Sequence, residues 1–195
     1  VVARGAGTGL SGGAMPLANG VTLSLAKFNK RITIDVDSCT AKVESGIRNL
    51  AISEAAASLG LYYAPDPSSQ IACTIGGNVA ENSGGVHCLK YGLTLHNVLK
   101  VRGFTVEGDP IEIGSDALDT PGFDLLPVLV GSEGMLAVTM EVTVKLIPKP
   151  KLARCIMASF DDMRKAGDAV ASVIAAGIIP AGLEMMDKPM TAAVE

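Results

Sequence analysis

The chain has 195 residues, of which 48% are hydrophobic and 18% charged, and its formal net charge is −4. This length allows one large domain, or one domain with part of a second, and the composition excludes a disordered chain. The negative charge, the scattered basic residues and the few aromatic residues argue against a nucleic-acid-binding module.

A glycine-rich loop lies at residues 4–13, one residue after Val1 and Val2. Five glycines in this loop allow several backbone N–H groups to surround a phosphate, although a flexible turn or linker is the alternative. Residues 7–12 read as G-x-G-x-x-G, but Pro16 and Asn19-Gly20 break any helix that would follow. The pattern therefore predicts strand, glycine loop, strand, with phosphate bound by loop amides and not by a helix dipole.

The following segments alternate between strand and helix patterns. Strands are predicted at residues 21–26, 32–36 and 41–45. Apolar spacing predicts a helix over 49–59 that Gly60 ends. A second glycine-rich segment, residues 74–85, is interpreted as a second loop that anchors a ligand. A hairpin is predicted between residues 98–106 and 111–113, followed by a turn at Pro121-Gly122 and a short apolar segment at 125–130.

The last part of the chain predicts a domain boundary. A long alternating strand is expected over 136–147, and the Pro-Lys-Pro-Lys run at 148–151 ends the first domain. Beyond it we expect a βαβ unit made of a strand at 152–160, a helix at 162–176 capped by Asp161 and closed by Gly177, and a strand at 179–186. Residues 169–183 are too short to span a bilayer and are interpreted as a buried helix followed by a strand.

Cysteine and histidine usage bears on compartment and metal content. The four cysteines are widely spaced without a C-x-x-C motif, which predicts free thiols and a cytoplasmic location. The two histidines lie nine residues apart without paired ligands, so no metal site is predicted. The opening strand and the incomplete final helix pattern predict a fragment of a longer protein.

Four motifs together resemble a known family. They are Arg4 to Gly9, Pro65 to Pro67, Ile75 to Gly92, and Gly131 to Thr139. The chain resembles the FAD-binding domain of the vanillyl-alcohol oxidase and p-cresol methylhydroxylase (PCMH) type, and more narrowly the FAD-linked D-2-hydroxyacid dehydrogenases. The resemblance implies an α+β fold, with a PCMH-type FAD-binding domain of two small α+β subdomains at residues 1–150. Residues 151–195 would start a ferredoxin-like substrate-binding cap.

The resemblance also implies which residues bind FAD. The pyrophosphate would lie among Gly5, Ala6, Gly7, Thr8, Gly9, Leu10 and Ser11. The diphosphate, ribityl chain and flavin edge would be lined by Asp66, Thr74, Gly77, Asn78, Asn82, Ser83 and Gly84. Pro65, Tyr91 and Gly92 are further cofactor-binding candidates. The adenosine end would meet Glu133, Gly134, Ala137 and Val138. Some relatives attach FAD through a histidine in the first loop, and none lies there in this chain, so noncovalent FAD is expected.

Several residues keep two interpretations. Arg4 is either a cation near phosphate or a surface charge, and His87 is either a base beside the flavin or a loop histidine that hydrogen-bonds backbone. Asn82, with Glu81, either binds the cofactor or caps a turn, and Tyr91 either stacks on the cofactor or fills the core.

The function implied by the resemblance is oxidation of a small D-2-hydroxyacid, such as glycolate, D-lactate or D-2-hydroxyglutarate, by bound FAD. The family's catalytic and metal-binding residues lie later in the cap, so no catalytic residue is assigned within this chain. Partner subunits of a glycolate oxidase-like complex are expected. The alternatives are a non-catalytic FAD-binding subunit of a redox complex, or another flavoenzyme of the same fold, such as an alcohol or aldonolactone oxidase or a cell-wall precursor reductase.

Overall fold

The computed structural model describes residues 1–116 and 122–194, so Pro121 of the predicted turn lies outside the described residues. The elements are α-helices, strands and two short 3₁₀ segments in an α+β arrangement, as predicted. The strands are β1 (Val2–Arg4), β2 (Thr22–Ser24), β3 (Ile32–Asp35), β4 (Thr40–Glu44), β5 (Leu61–Tyr62), β6 (Val98–Phe104), β7 (Pro110–Gly114), β8 (Val138–Lys145) and β9 (Ile147–Pro148). The helices are α1 (Asn49–Ala56), α2 (Ile75–Glu81), α3 (Cys88–Tyr91), α4 (Leu126–Leu129), α5 (Met163–Ala175) and α6 (Lys188–Val194), with 3₁₀ segments at Ala57–Leu59 and Thr94–Asn97.

A five-stranded antiparallel sheet in the order β3-β4-β8-β6-β7 forms the centre of the fold. The predicted hairpin is present as β6 and β7, and the predicted long strand is present as β8. Val142 and Val144 of β8 are fully buried, and they share one core with Ile52 of α1 and Ile75 of α2. Burial of these apolar side chains is the main force that holds the two helices against the sheet.

The glycine loop connects two strands, as predicted. β1 and β2 form a separate parallel pair, and residues 5–14 contain no helical turn. This pair is tied to the large sheet through Gly46, whose N–H donates to the Phe28 carbonyl at 2.8 Å. A Cβ at Gly46 would lie 2.5 Å from the Leu25 carbonyl oxygen, so only glycine permits this close approach.

Most of the second glycine-rich segment, residues 75–81, is helix α2 and not a loop, which corrects the sequence interpretation. The hydroxyl of Thr74 caps α2 by accepting a hydrogen bond from the Gly77 N–H at 3.3 Å. At the other end, Asn82 adopts the left-handed conformation with φ of 51°. A capped start and buried Ile75 and Val79 outweigh the low helix propensity of two glycines.

The two strands predicted in the last 45 residues are wrong. Residues 152–160 and 179–186 have no strand structure, because no strand of the described residues pairs with them. The helix between them is present as α5, but Asp162 caps it and not Asp161, and none of its residues is buried. Gly177 closes it at φ of 76°, as predicted.

Candidate functional site

A cavity of about 1040 Å³ lies between the glycine loop, helix α2 and the turn at residues 131–134. Ligand pockets usually measure about 300–1,000 Å³, so this cavity suits a ligand at the large end of that range. Its walls also include residues 66–70 and Ser83 to Val86, and Glu184 lines it from the C-terminal segment. Elements far apart in the sequence therefore converge on one space.

The glycine loop presents unpartnered backbone donors to the cavity. Within the described part of the chain, no backbone N–H of residues 5–13 donates a hydrogen bond to the protein. Gly7 and Gly12 have φ of 73° and 79°, where a side chain would be strained. A Cβ at Gly5 would collide with the hydroxyl of Thr74. A cradle of free amides without side chains fits a phosphate-containing cofactor such as FAD.

The wall formed by α2 is fixed by a buried chain of amide hydrogen bonds. Asn78 donates through its Nδ2 to Oδ1 of Asn49 at 2.8 Å, and Asn49 donates through its own Nδ2 to the Pro65 carbonyl at 2.8 Å. Both asparagines are almost completely buried. Pro65 itself does not line the cavity, and its carbonyl accepts this buried hydrogen bond.

Beyond α2, the chain turns through Asn82 and Ser83 along the cavity. Oδ1 of Asn82 accepts the Leu95 N–H at 3.0 Å, and the Ser83 carbonyl accepts both the N–H and the hydroxyl of Thr94. Asn82 therefore both ends the helix and lines the cavity. Its left-handed backbone is a local strain of the kind often found at binding sites.

The turn at residues 131–134 closes the opposite side. Gly131 and Glu133 donate their N–H groups at 2.8 Å to the carbonyls of Val79 and Ala80 in α2. Glu133 has a positive φ of 55°, which is unusual for a residue with a side chain. The carboxylates of Glu133 and Glu81 both approach the glycine loop, and Glu81 accepts the Ser11 hydroxyl at 2.7 Å.

Asp66 and His87 form a pair at the edge of the cavity. Nδ1 of His87 lies 2.5 Å from Oδ2 of Asp66, and the His87 N–H donates to Oδ1 of Asp66 at 3.4 Å. Asp66 lines the cavity, whereas His87 lies behind its wall. The His87 ring therefore hydrogen-bonds the side chain carboxylate of Asp66, and not the backbone as one of the two sequence interpretations has it.

Most of the sequence-predicted residues come together around this one cavity. Those that line it are Gly5, Ala6, Gly7, Thr8, Gly9, Leu10, Ser11, Asp66, Thr74, Gly77, Asn78, Asn82, Ser83, Gly84, Glu133, Gly134 and Ala137. Those that do not line it are Pro65, Tyr91, Gly92 and Val138. The guanidinium of Arg4 lies beside Gly7 without lining the cavity, so both interpretations of Arg4 stay open.

Tyr91 does not line the cavity, because α3 carries its ring toward Tyr62. Its ring meets Tyr62 edge-on at a centroid distance of 6.3 Å. Burial raises the pKa of Tyr62, and hydrogen bonding to Tyr91 raises it further. Tyr91 therefore packs against protein on this side.

Sequence reasoning missed several lining residues. The sequence predicts Ser45 only as part of a strand and Gly76 only as part of a loop, yet both line the cavity, and for Glu81 it leaves a turn cap as an alternative to cofactor binding. The Glu-Asn pair directly after an apolar stretch was a usable signal for Glu81. Glu184 had no local signal, because only the folded chain brings residues 182–184 against Val86.

Three further observations concern metal binding, membrane spans and cysteines. Within residues 1–116 and 122–194, no group of three or more histidine, cysteine, aspartate or glutamate side chains is arranged to hold a metal ion. None of the helices in those ranges is long and apolar enough to cross a membrane. All four cysteines are free thiols.

Two family descriptions match most of the chain. Residues 1–114 match the family described as FAD binding domain, and residues 149–195 match the C-terminal domain of FAD linked oxidases. The chain belongs to the family described as FAD binding domain. This confirms the resemblance stated from the motifs, and FAD is the cofactor of the family.

Individual relatives agree with the family match. Glycolate oxidase subunit GlcD of Escherichia coli is 64% identical over the whole chain, and the Bacillus subtilis protein of the same name is 42% identical. A D-lactate dehydrogenase of Anaerostipes hadrus is 35% identical over 96% of the chain. The chain spans 39%, 42% and 40% of these relatives, respectively.

Solved structures confirm the fold. An alkyldihydroxyacetonephosphate synthase superposes with a TM-score of 0.78 and 24% sequence identity, covering 93% of this chain and 33% of that one. A second crystal form of the same enzyme gives a TM-score of 0.76 with 23% identity over 93% of this chain and 34% of that chain. At this identity the likeness shows the fold alone.

Proposed function

We propose that this chain is the FAD-binding part of an oxidoreductase that converts a D-2-hydroxyacid to its 2-oxoacid. The observation that carries the proposal is the glycine loop, whose N–H groups at residues 5–13 have no acceptor in the described part of the protein. Family membership supplies the identity of the cofactor. The names of the relatives supply the substrate class, namely glycolate, D-lactate and D-2-hydroxyglutarate.

The cavity residues would hold FAD noncovalently by replacing water around its polar groups. Amides of residues 5–11 would donate to the pyrophosphate, together with the hydroxyl of Thr8. The Ser11 hydroxyl would join them on turning away from Glu81, to which it donates in this structure. A Cβ at Gly77 would meet only the Thr74 hydroxyl, at 3.3 Å, so this position leaves room for the cofactor to approach the backbone of α2. Bound FAD supplies the hydride-accepting chemistry, and the protein supplies orientation and electrostatics.

The remaining cofactor residues extend this arrangement. Glu133, Gly134, Ala137 and Val138 would meet the adenosine end of the cofactor. Tyr91 and Gly92 would support the flavin side from outside the cavity wall, because they do not line it. The boundary between the FAD-binding domain and the cap is proposed near residue 150, beside the start of the second family match at residue 149.

We further propose that the full protein works with partner subunits, because its GlcD relatives are named as subunits of glycolate oxidase. The four free thiols are consistent with a reducing compartment such as the cytoplasm. Substrate-binding residues are expected in the part of the protein beyond this chain, since the chain spans about two-fifths of these relatives.

The test is anaerobic reduction of the FAD-loaded full-length protein, followed by flavin absorbance. Glycolate, D-lactate and D-2-hydroxyglutarate are added separately, with L-lactate as the matched control for stereochemistry. Bleaching by one of the three and not by L-lactate supports the proposal. A flavin that none of the three reduces, while dithionite does, contradicts the substrate class but leaves FAD binding intact.

A further inference from the structure

The cavity has an unusual charge balance for a ligand that carries phosphates. Four carboxylates line it, those of Asp66, Glu81, Glu133 and Glu184, and no lysine or arginine lines it within the described residues. Like charges separated by less than about 10 Å repel each other appreciably at 0.1 M salt. The affinity for a pyrophosphate therefore depends on how these carboxylates are held.

The Asp66 carboxylate is bound from outside the cavity. One oxygen is 2.5 Å from Nδ1 of His87, and the other accepts the His87 N–H at 3.4 Å. The side chain of Asp66 is 17% exposed, and that of His87 is 43% exposed. Because both oxygens contact a residue behind the wall, the carboxylate is restrained from turning toward a ligand.

The surrounding structure holds this pair in place. A Cβ at Gly85 would collide with the backbone and side chain oxygens of Asp66, so residues 85–87 pack directly on it. The His87 ring lies 6.4 Å from the Tyr91 ring, and Nζ of Lys90 lies 5.4 Å above that same ring. The pair also joins two separate parts of the cavity wall, residues 66–70 and 83–86.

We propose that His87 is a positioning residue of the FAD site. It binds the Asp66 carboxylate and keeps that negative charge directed away from the phosphates of the dinucleotide. The inference rests on the proposed function, because it requires FAD to occupy the cavity. His87 acts through Asp66 and has no contact with the reacting atoms.

The test is titration of FAD into the full-length apoprotein, monitored by flavin fluorescence. His87→Ala should bind FAD about tenfold more weakly, the expected effect of losing one charge-assisted hydrogen bond. His87→Asn should recover most of the affinity, because its amide nitrogen lies near the position of Nδ1. Asp66→Asn combined with His87→Ala should also recover it, because the unpaired charge is gone.

Salt provides a readout that a purely structural role would not change. Higher ionic strength should reduce the difference between wild type and His87→Ala, since it screens the repulsion between carboxylate and phosphate. His96→Ala is the matched control, because Nδ1 of His96 accepts the Leu93 N–H at 3.0 Å and the residue lies outside the cavity. Its affinity for FAD should equal that of wild type.

Each other outcome overturns the inference. The inference is overturned if wild type and His87→Ala bind FAD with equal affinity. It is also overturned if neither adding Asp66→Asn nor raising the salt concentration reverses the loss of FAD affinity in His87→Ala. If His87→Ala does not fold, His87→Gln replaces it, because glutamine keeps volume but places its amide near Nε2. Wild-type protein that binds no FAD overturns the proposed function as well, whereas FAD binding without any His87 effect overturns this inference alone.

Discussion

Two adjacent glycines at the start of α2 should respond in opposite ways to alanine. A Cβ at Gly76 would lie 2.8 Å from Cβ of Ser45 and 3.0 Å from its carbonyl oxygen. Ser45 cannot move away easily, because its N–H donates to Met140 and its carbonyl accepts from Gly76, both at 2.9 Å. A Cβ at Gly77 would meet only the Thr74 hydroxyl, at 3.3 Å.

These contacts determine the expected change in the free energy of unfolding for each variant. Overpacking costs about 1–3 kcal/mol, and the rigid neighbour puts Gly76→Ala in the upper part of that range. The higher helix propensity of alanine stabilises the folded protein by up to about 1 kcal/mol at either position. Gly76→Ala should therefore destabilise the protein by about 1–2 kcal/mol, whereas Gly77→Ala should be neutral or more stable by up to about 1 kcal/mol.

Thermal unfolding of the apoprotein measures this difference. For a domain of this size, each kcal/mol shifts Tm by roughly 2–4 °C, so Gly76→Ala should lower Tm by about 2–8 °C. Gly77→Ala should leave it unchanged or raise it slightly. A Gly76→Ala protein as stable as wild type, or a Gly77→Ala protein less stable than Gly76→Ala, would show that the contact between α2 and Ser45 is not as tight as described.

Three further predictions concern stability and cofactor attachment. Hydrogen bonds from the Lys30 backbone N–H and then from Arg31 hold the pKa of Glu44 below its ordinary value of 4.5. The ionised Glu44 therefore stabilises the folded protein fully above pH 4.5, and this stabilisation is lost as the pH falls through the lowered pKa of the folded state. The Tm difference between wild type and Glu44→Gln should therefore shrink on acidification, and a constant difference would contradict this. Asp162→Ala should destabilise α5 by about 1 kcal/mol and speed its amide hydrogen exchange, whereas a larger effect of Asp161→Ala would refute the cap assignment. Acid denaturation should release all flavin into the supernatant, and flavin retained in the precipitate would indicate a covalent bond.

Strong local patterns made much of the central sheet predictable. The alternation along residues 136–147 matches β8, and the left-handed Gly60, at φ of 70°, follows the helical segment as expected. Pro16 and Gly20 correctly predicted that no helix follows the glycine loop. In each case, the structure depends on residues that are neighbours in sequence, which is the information that periodicity and turn chemistry contain.

The errors occurred where distant contacts decide the structure. Residues 74–85 have the glycines and asparagines of a loop, yet burial of Ile75 and Val79 against the sheet makes α2 a helix. Residues 152–160 and 179–186 have strand-like composition, but strands need partners and no described strand pairs with them. Neither the burial of α2 against the sheet nor the lack of a partner strand can be predicted from residue propensities alone.

The candidate site also combines residues that local sequence predicts with residues that only the folded chain brings there. The glycine loop could be predicted because free amides without side chains are a local property of residues 4–13. Glu184 could not, since it reaches the cavity only through the packing of residues 182–184 on Val86. The pairing of His87 with Asp66 likewise joins residues 21 positions apart.

The most direct test of the central claim is the absorbance spectrum of the full-length protein after FAD addition and removal of free cofactor. A protein that holds FAD through the glycine loop should retain flavin absorbance bands. Gly7→Val should lose them, because a β-branched residue at φ of 73° strains the loop and its side chain would meet the Arg4 guanidinium. A wild-type protein that remains colourless would contradict the account, and so would a Gly7→Val protein that binds FAD equally well.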